Sequence, residues 1–277
     1  MKPAWLKIKL PRSDSYQLVK NQLSSRKINT VCIEARCPNR IECWEKKSMT
    51  FMILGNICTR KCRFCAVETG NPLGVIDENE PDKIALAIKD LNLSYVVITS
   101  VTRDDLADGG AGFFALTIEA IRKTNQNVCI EVLVPDFSGQ ESSIVKVIDA
   151  GCDVFGHNIE TVKRLTPIIR DQRADYSCSL SVLKTARKIK PQLITKSGIM
   201  LGLGETEQEV KSTMRDLYDI GVSTLTIGQY LQPARRLLKV YDYIKPEQFE
   251  VYKNFALNLG FKKVIAGPLV RSSYIWQ

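Results

Sequence analysis

Six of the nine cysteines in the sequence lie between residues 32 and 65, where they form two triplets. Cys58, Cys62 and Cys65 have the spacing Cys-x3-Cys-x2-Cys and follow an apolar run. This spacing allows three thiolates to converge on one polynuclear iron–sulfur cluster, and three ligands leave one iron open to another molecule. Structural zinc takes four protein ligands, usually from two Cys-x2-Cys pairs. Two such pairs are not present, so a zinc knot and a set of unrelated buried thiols are the weaker interpretations.

Cys32, Cys37 and Cys43 form the second triplet, with the spacing Cys-x4-Cys-x5-Cys, in a segment near the N-terminus that is predicted to be a polar loop. Three thiols again predict a cluster with an incomplete protein shell. A cluster that only relays electrons, or a set of surface thiols without a ligand, are the alternatives. Both triplets therefore direct attention to the first quarter of the chain.

The sequence contains a single histidine, His157, for which a structural role is the expectation. A His-rich metal site is therefore excluded, and acid–base catalysis would depend on other groups. The odd number of cysteines, with no secretory signal peptide recognised, argues against a disulfide framework. The remaining cysteines lack cluster spacing and are expected to be small hydrophobes without a function: Cys129, Cys152 and Cys178.

Lys and Arg total 39 against 30 Asp and Glu, a formal net charge of +9. This excess suits an acidic partner, which could be nucleic acid, anionic lipid or an acidic carrier protein, or it indicates only a solvated basic surface. No run of basic residues or short motif indicates nucleic-acid binding, and no apolar run approaches the roughly 18 residues of a membrane helix. The first thirty residues are basic, but Trp5, Leu6 and Ile8 favour ordered mature chain over a transit peptide.

From Thr50 onward, short β-like runs alternate with segments of helical period. Strands are predicted at 51–56, 95–100, 128–134, 152–158, 194–201, 224–231 and 262–267. Helices are predicted at Asp82–Leu91, Gly112–Arg122, Glu141–Asp149, Ser179–Ile189, Glu207–Ile220 and Pro246–Asn258, with an earlier one at Asp14–Ser24. Six or seven β-α units in series predict parallel strands with helical crossovers.

The predicted fold is α/β, a partial, open (β/α)6 TIM-type barrel whose chemistry lies on the loops at the carboxyl ends of the strands. An N-terminal extension over residues 1–49 carries the second triplet. The barrel covers residues 50–261, and a short C-terminal segment covers residues 262–277.

The first triplet, with Phe64 before its third cysteine and its place after the first strand, resembles that of the radical S-adenosylmethionine superfamily. The spacing of the second triplet is similar to that of the lipoyl synthase family within this superfamily. The similarity extends over nearly the whole chain, through the segments ARCPNRIECW (35–44), TFMILGNICTRKCRFCAVETGNP (50–72), TSVTRDDLADGGAG (99–112), HNIETV (157–162), TKSGIMLGLGET (195–206), LTIGQYLQP (225–233) and GPLVRSSY (267–274).

The resemblance implies two 4Fe-4S clusters and S-adenosylmethionine, two molecules of which are cleaved for each lipoyl group. A 5′-deoxyadenosyl radical then removes hydrogen from C6 and C8 of an octanoyl chain on a carrier lysine. The auxiliary cluster, held by the second triplet, donates both sulfurs, in a step of lipoate biosynthesis. The implied partners are lipoyl domains of 2-oxo-acid dehydrogenases or the glycine-cleavage H protein, with a low-potential donor such as flavodoxin or ferredoxin. A cytoplasmic location is expected.

In the family that the chain resembles, a serine of an Arg-Ser-Ser-Tyr motif is the fourth ligand of the auxiliary cluster. The second serine, Ser273, is the expected ligand and Ser272 the alternative. Without the resemblance, both serines read as an ordinary polar tail. An alkoxide beside thiolates is a hard ligand, which suits an iron that must be lost while the cluster gives up sulfur.

Several further residues are expected to contact S-adenosylmethionine. Gly198, Gly202 and Glu205 fit a Gly-x-hydrophobic-x-Gly-x-x-Glu pattern, in which backbone atoms can approach a flat adenine. Asn158 and Glu160, at the end of the fourth strand, are candidate partners of the ribose hydroxyls.

Asp104, Asp105, Asp108, Gly109 and Gly110 follow the second strand and resemble the loop that holds the methionine amino group, where an acid would complement the ammonium. Phe64 is expected to wall off the cluster from solvent. Glu131 lies inside the third strand and points either inward, toward the ligand, or outward to solvent. The sequence leaves these two orientations open.

Two alternative functions remain at this stage. One is a different radical enzyme, such as a methylthiotransferase or a maturase that uses its second cluster only for electrons. The other is an iron–sulfur electron-transfer or nucleic-acid-binding protein. The chain also departs from the family pattern at Leu237, where a His is common, at Lys239, where a Pro is common, and at Ile275-Trp276-Gln277. Arg235, Arg236 and Lys239, with the N-terminal lysines, are candidates for the carrier-binding surface.

Overall fold

The computed structural model describes residues 3–6 and 15–273. Its strands are β1 (Thr50–Ile53), β2 (Ile57–Cys58), β3 (Glu68–Thr69), β4 (Tyr95–Ser100), β5 (Cys129–Leu133), β6 (Val154–Gly156), β7 (Ile194–Leu201), β8 (Thr224–Gln229) and β9 (Lys263–Gly267). Its helices are α1 (Ser15–Ser25), α2 (Val31–Glu34), α3 (Arg40–Glu45), α4 (Glu80–Asp90), α5 (Ala111–Thr124), α6 (Glu141–Asp149), α7 (Thr166–Ile169), α8 (Tyr176–Ile189), α9 (Glu207–Asp219) and α10 (Pro246–Leu259). Ile8, Asp14, Tyr274 and residues 275–277 lie outside the described residues, as do Lys2, Lys7 and Lys9.

Seven strands form one sheet in the order β1-β4-β5-β6-β7-β8-β9, and β2 pairs with β3 in a separate two-stranded sheet. The pairs β1–β4, β4–β5, β7–β8 and β8–β9 are parallel. Within the described residues the order is a line rather than a ring, so the sheet is open. Six β-α repeats precede the last strand. The predicted fold class, a partial and open parallel α/β barrel, is confirmed.

Local sequence explains where the helices begin and end. Thr206 accepts a hydrogen bond from the Glu209 backbone, and the Glu209 side chain accepts one from the Thr206 backbone, which is a capping box at the start of α9. Pro246 occupies the first position of α10, where its missing N–H costs nothing. Gly260 ends α10 with φ of 110°, a conformation that side chains rarely adopt.

The structure differs from the sequence prediction in a few places. The first strand ends at Ile53 rather than residue 56, because Leu54 and Gly55 take positive φ angles of 67° and 82°. The segment predicted as a polar loop contains α2 and α3. These helices are four and six residues long, too short to show a helical period in the sequence.

The chain forms two compact units. The N-terminal unit comprises Ile8–Arg60 and Ala66–Val154, and the C-terminal unit comprises Met1–Lys7, Lys61–Cys65 and Phe155–Gln277. In the N-terminal unit, side chains of α4, α5 and β4, including Ile88, Phe114 and Ile98, are fully buried. The core of the C-terminal unit includes Leu183, Met214, Leu225 and Phe249.

Among residues 3–6 and 15–273, no helix combines the length and the apolar character needed to cross a membrane.

Glu80, at the start of α4, is a buried acid. Its Oε2 accepts a hydrogen bond from the Leu54 backbone N–H at 2.7 Å, and the residue is 5% exposed. Burial raises the pKa of Glu80 to about 7, although the hydrogen bond from Leu54 acts in the opposite direction. An acid whose pKa is higher in the folded state stabilises the protein below its unfolded pKa, and this contribution is lost as the pH rises through the folded pKa.

We therefore expect Glu80→Gln to remove a pH dependence of stability. The free energy of unfolding of the variant, relative to wild type, should rise by about 2–3 kcal/mol between pH 5 and pH 8, because only wild type must ionise the buried group. Urea denaturation at several pH values measures this difference. Glu78→Gln, at an exposed side chain two residues earlier, controls for the loss of one negative charge. Parallel pH profiles for wild type and Glu80→Gln would contradict the prediction.

Candidate active site

The second cysteine triplet comes together within the N-terminal unit. Cys32 lies in α2, Cys43 lies in α3, and Cys37 lies in the connection between these helices, where its N–H donates to the Cys32 carbonyl at 3.2 Å. Burial raises the pKa of the Cys43 thiol to about 12, and the neighbouring Cys37 and Cys32 add to the shift. Three thiols within one short segment, none of them in a disulfide, fit a group that takes several thiolates at once.

In the described part of the chain, no three His, Cys, Asp or Glu side chains lie close enough together to hold a single metal ion. A four-iron cluster binds each thiolate through a different iron, so its cysteines stand further apart than the ligands of one ion. The triplet fits such a cluster on the chemistry of its donor set, since thiolates are the ligands that iron–sulfur clusters take.

Cys58, the first residue of the other triplet, ends β2 in the N-terminal unit. It pairs with Thr69 of β3, and its carbonyl accepts from the Gly70 N–H at 3.0 Å. The backbone N–H of Arg60 lies 3.4 Å from Cys58 Sγ, so the sulfur accepts a hydrogen bond. Hydrogen bonds to ligand sulfurs are one of the means by which proteins set cluster potentials.

Cys62 and Cys65 belong to the C-terminal unit. The N–H of Asp171 donates to Cys62 Sγ at 3.3 Å, and the Lys61 N–H donates to Asp171 Oδ2 at 2.8 Å. Phe64 packs against the hydrophobic core of this unit. Cys58, Cys62 and Cys65 are each half-buried and outside disulfides.

The loop after β4 carries three acids, and the structure gives each of them protein partners. Asp105 forms a two-point ion pair with Arg103, with N–O distances of 2.7 and 2.8 Å, and also accepts from the Gly74 N–H. Arg103 is fully buried and holds the pKa of Asp105 below its usual value. The Asp105 carboxylate is thus engaged by a guanidinium, and its contact with a ligand ammonium stays a prediction.

Asp108 and Asp104 have different partners. Asp108 accepts from the N–H groups of Gly110 and Gly112 at the start of α5, and from Lys146 Nζ at 3.0 Å. Asp104 accepts from Thr59 Oγ1 at 2.7 Å and from the Arg60 guanidinium.

A cavity of about 360 Å3 lies within the N-terminal unit, between the loops that follow β4 and β5. Its lining includes Asp104, Asp105, Gly109 and Phe137. Gly110, next to the lining, has φ of 90°, and a Cβ there would overlap the Leu54 side chain. The predicted loop residues therefore border a cavity, and Gly110 is required by a turn and by close packing.

Glu131 lies in the middle of β5 and is 1% exposed, so the outward, solvent-facing orientation is wrong. Its Oε2 accepts a hydrogen bond from the hydroxyl of Tyr95. Tyr95 lies in the neighbouring strand β4, on the same face of the sheet as Glu131. Burial, followed by the Glu131 charge, raises the pKa of Tyr95 well above its usual range, which keeps the hydroxyl as a donor. Any contact of Glu131 with a ligand stays a prediction.

Asn158, Glu160 and Gly198 are neighbours in the C-terminal unit. Asn158 Nδ2 donates to Glu160 Oε1 at 3.1 Å, and Glu160 N donates to the Gly198 carbonyl at 3.0 Å. Glu160 has φ of 67°, an uncommon conformation for this residue type. Burial raises the pKa of Glu160, with the Arg170 charge opposing the shift. Strained, partly desolvated polar residues are typical of ligand sites.

Gly202 and Glu205 form the turn after β7. The Glu205 carboxylate accepts from the N–H groups of Gly202 and Leu203 at 2.6 and 2.9 Å, and burial raises the pKa of Glu205. A Cβ at Gly202 would overlap the Gln229 side chain and the Asp242 carbonyl. The structure thus assigns these residues to the turn itself, while their contact with adenine stays a prediction.

Ser272 and Ser273, both half-buried, end the described chain. The segment before them crosses β8 at Gly228, where a Cβ would overlap the Val270 carbonyl. Iron ligation by either serine stays a prediction.

Sequence reasoning missed the residues that hold the cysteine loops: Arg60, Arg103, Asp136 and Asp171. Arg60 lies inside the Cys58–Cys62 spacing, and Asp171 belongs to an Arg-Asp-x-Arg segment, so both were visible as charges near functional residues. Their burial could not be seen, because charged residues are mostly exposed.

Comparison with known proteins agrees with this geometry. The model of the radical SAM superfamily matches residues 52–217, and that of the N-terminal domain of lipoyl synthase matches residues 1–37. The lipoyl synthase of Caldicellulosiruptor saccharolyticus is 53% identical over 99% of this chain and 95% of its own. That of Thermus thermophilus is 51% identical over 99% and 84%, and the mitochondrial lipoyl synthase of Drosophila willistoni is 49% identical over 98% and 74%.

Solved structures share the fold at low identity. Methylornithine synthase superposes with a TM-score of 0.60 at 13% identity, over 78% of this chain and 70% of that one. The FeFe-hydrogenase maturase HydG from Carboxydothermus hydrogenoformans gives 0.58 at 14% identity, over 92% and 64%.

The open parallel sheet, the cysteine loop after its first strand and the match over residues 52–217 define a radical S-adenosylmethionine protein. The superfamily implies a 4Fe-4S cluster and S-adenosylmethionine. At about 50% identity over nearly its own full length, the chain belongs to the lipoyl synthase family.

We expect Arg103→Met to destabilise the protein by about 2–3 kcal/mol, because it removes the fully buried guanidinium that pairs with Asp105. It also removes the hydrogen bonds to the Leu54 and Val75 carbonyls. Urea denaturation gives the free energy of unfolding. In the control Lys83→Met, the lost ion pair with Asp77 is exposed, so the change should stay below about 1 kcal/mol. Equal effects of the two substitutions would contradict the role of Arg103.

Proposed function

We propose that this chain inserts two sulfur atoms at C6 and C8 of an octanoyl chain amide-linked to a lysine of a carrier protein. The observation that carries the proposal is the presence of two complete cysteine triplets on a chain about 50% identical to lipoyl synthases over almost all of its length. One triplet alone would serve a radical enzyme in general. The second triplet is the feature that sulfur donation requires.

Cys58, Cys62 and Cys65 would hold the radical cluster, and Cys32, Cys37 and Cys43 the auxiliary cluster. When bound, the first cluster supplies the electron that cleaves S-adenosylmethionine, and the second supplies sulfur. The protein's own part is to bind and orient these groups and to exclude water. Phe64, anchored in the core of the C-terminal unit, supports this proposal because it adds apolar surface beside Cys65.

Asn158 and Glu160 are proposed to bind the ribose hydroxyls of S-adenosylmethionine. Their mutual hydrogen bond orients the amide and the carboxylate together, and the raised pKa of Glu160 marks a desolvated acid that gains from a hydroxyl donor. Gly198 and Gly202, with Glu205, are proposed to form the adenine-binding turn. Asp105, Gly109, Gly110 and Glu131 are proposed to line the remainder of the site.

Ser273 is proposed as the fourth ligand of the auxiliary cluster. The same proposal includes the partition into an N-terminal extension (1–49), a barrel (50–261) and a C-terminal segment (262–277), since each part carries its own ligands.

The carriers are proposed to be lipoyl domains or the glycine-cleavage H protein, with flavodoxin or ferredoxin as electron donor in the cytoplasm. The net charge of +9 supports an acidic carrier, because complementary charge accelerates encounter. Arg235, Arg236 and Lys239, which lie in an irregular segment after β8, are available for this contact.

Anaerobic reconstitution tests the function. The protein, loaded with iron and sulfide, is mixed with dithionite, S-adenosylmethionine and an octanoyl-lysine peptide. We expect about eight irons per chain, 5′-deoxyadenosine, and a peptide that carries two sulfurs. 5′-Deoxyadenosine without sulfur in the peptide would reject lipoyl synthesis and leave a different radical enzyme. The absence of S-adenosylmethionine cleavage would reject radical chemistry altogether.

Two cysteine variants should separate the roles of the triplets. Cys58→Ala should abolish 5′-deoxyadenosine formation, because it removes a ligand of the radical cluster. Cys37→Ala should retain 5′-deoxyadenosine formation while sulfur insertion falls at least about 100-fold, a loss of roughly 3 kcal/mol or more in transition-state stabilisation. Cys178→Ala, at a cysteine without cluster spacing, serves as the control. Sulfur insertion by Cys37→Ala at the wild-type rate would contradict the assignment.

Ser273→Ala should lower sulfur insertion more than Ser272→Ala, and should leave 5′-deoxyadenosine formation in place. The physical reason is that only the auxiliary cluster loses a ligand. Product analysis by mass spectrometry, together with iron content, measures both effects. The reverse order of the two variants would assign the ligand to Ser272.

A further inference from the structure

Arg60 is the central residue of the three that separate Cys58 from Cys62, and it is the buried one. Its side chain is 5% exposed, whereas Lys61 is exposed and Thr59 is half-buried. Nothing in the spacing of the cysteines requires a charge at this position. Burying a guanidinium is costly unless nearby acceptors compensate its charge and its hydrogen-bond donors. Arg60 must therefore have such acceptors around it.

Two carboxylates surround the Arg60 guanidinium within the N-terminal unit. Nη2 lies 2.7 Å from Asp136 Oδ1 and 2.9 Å from Asp104 Oδ1, and Nε lies 3.1 Å from Asp104 Oδ2. Nη1 also donates to Asp136 Oδ2. Arg60 therefore makes two-point contacts with both acids, which is the geometry that fixes an arginine most firmly.

Both acids are themselves held in place. Asp104 follows β4 and also accepts from Thr59 Oγ1, the residue between Cys58 and Arg60. Asp136 follows β5, is 1% exposed and accepts from the Ser138 N–H at 3.0 Å. The chain directly after Cys58 is thus tied by two successive side chains to the loops at the carboxyl ends of two strands.

The backbone of Arg60 connects this anchor to the cluster ligand. Its N–H donates to Cys58 Sγ at 3.4 Å, and its carbonyl accepts from Thr69 Oγ1 at 3.3 Å. Because the side chain cannot move without breaking its ion pairs with Asp104 and Asp136, it also restrains the peptide that faces the sulfur. The Arg60 N–H thus directs a hydrogen bond at the Cys58 sulfur.

We propose that Arg60 is a positioning residue of the radical cluster. Its ion pairs with Asp104 and Asp136 hold the Cys58 loop, and its peptide N–H, in the cluster-binding geometry. The inference deepens the proposed function and rests on Cys58 as a ligand of that cluster. It also gives Asp104 a role through Arg60 rather than through a ligand ammonium.

The test compares Arg60→Met, Arg60→Lys and Arg122→Met in the reconstituted full-length protein. Arg122 provides a matched control in the same unit, since its guanidinium pairs with Asp153 and with the Val128 and Gly151 carbonyls. Two readouts are used besides activity. One is the rate at which a chelator removes iron, and the other is the electron paramagnetic resonance spectrum of the reduced protein with and without S-adenosylmethionine.

Arg60→Met should release about half of its iron roughly tenfold faster than wild type, and the spectral change on addition of S-adenosylmethionine should be reduced or altered. Arg60→Lys should recover part of both properties, because an ammonium keeps the charge but not the two-point contacts. Arg122→Met should keep both at wild-type values. Should Arg60→Met fail to fold, Asp136→Asn weakens the same anchor and should shift both readouts in the same direction.

Wild-type iron release together with a wild-type spectral change in Arg60→Met, or in Asp136→Asn if the former does not fold, would overturn the inference. An equal effect of Arg122→Met would overturn it as well, since stability alone would then explain the result. A wild-type protein without any spectral response to S-adenosylmethionine would instead count against the proposed function. The iron-release rates would still report on Arg60 in that case.

Discussion

Two buried arginines hold the site loops of the N-terminal unit, and the arrangement of that unit depends on them. Arg60 joins the cysteine loop to the acids that follow β4 and β5, and Arg103 joins Asp105 to the carbonyls of Leu54 and Val75. The loops at the carboxyl ends of parallel strands have no ladder hydrogen bonds of their own to define their course. Ion pairs with two-point geometry supply that definition, and they offset the cost of burying the two guanidinium groups.

In the C-terminal unit, the loops of the candidate site are held in place with fewer charged groups. The Asp171 carboxylate accepts a hydrogen bond from the Lys61 N–H, and the Asp171 N–H donates one to the Cys62 sulfur. This one residue therefore holds the loop at two points. Glu205 closes the turn after β7 by accepting two backbone N–H groups. The Arg63 carbonyl accepts from the Leu238 N–H at 2.9 Å, which brings the irregular segment after β8 to the cysteine loop. This contact gives that segment, with its unusual Leu237 and Lys239, a direct connection to the loop that carries Cys62.

Several acids that appeared suited to a ligand have structural partners. In the sequence, Asp104, Asp105 and Asp108 form one acidic loop beside two glycines. In the structure they bind Arg60, Arg103 and the start of α5, respectively. An acidic cluster in a sequence shows how much negative charge is present, but it does not show which groups bind that charge. Some of these groups lie up to 45 residues away along the chain, as in the contact between Thr59 and Asp104.

The sequence by itself determined the fold class, both cysteine triplets and the family, because each depends on local information: hydrophobic period, ligand spacing and contiguous motifs. The alternation of strands and helices from Thr50 onward was predicted to within a few residues at most boundaries. Only the tertiary structure decided the orientation of Glu131, the early end of β1 at Leu54 and the burial of Arg60. These features depend on which distant residues supply a hydrogen bond, a counter-charge or a steric limit. The periodicity of the sequence carries no information about which residues those are.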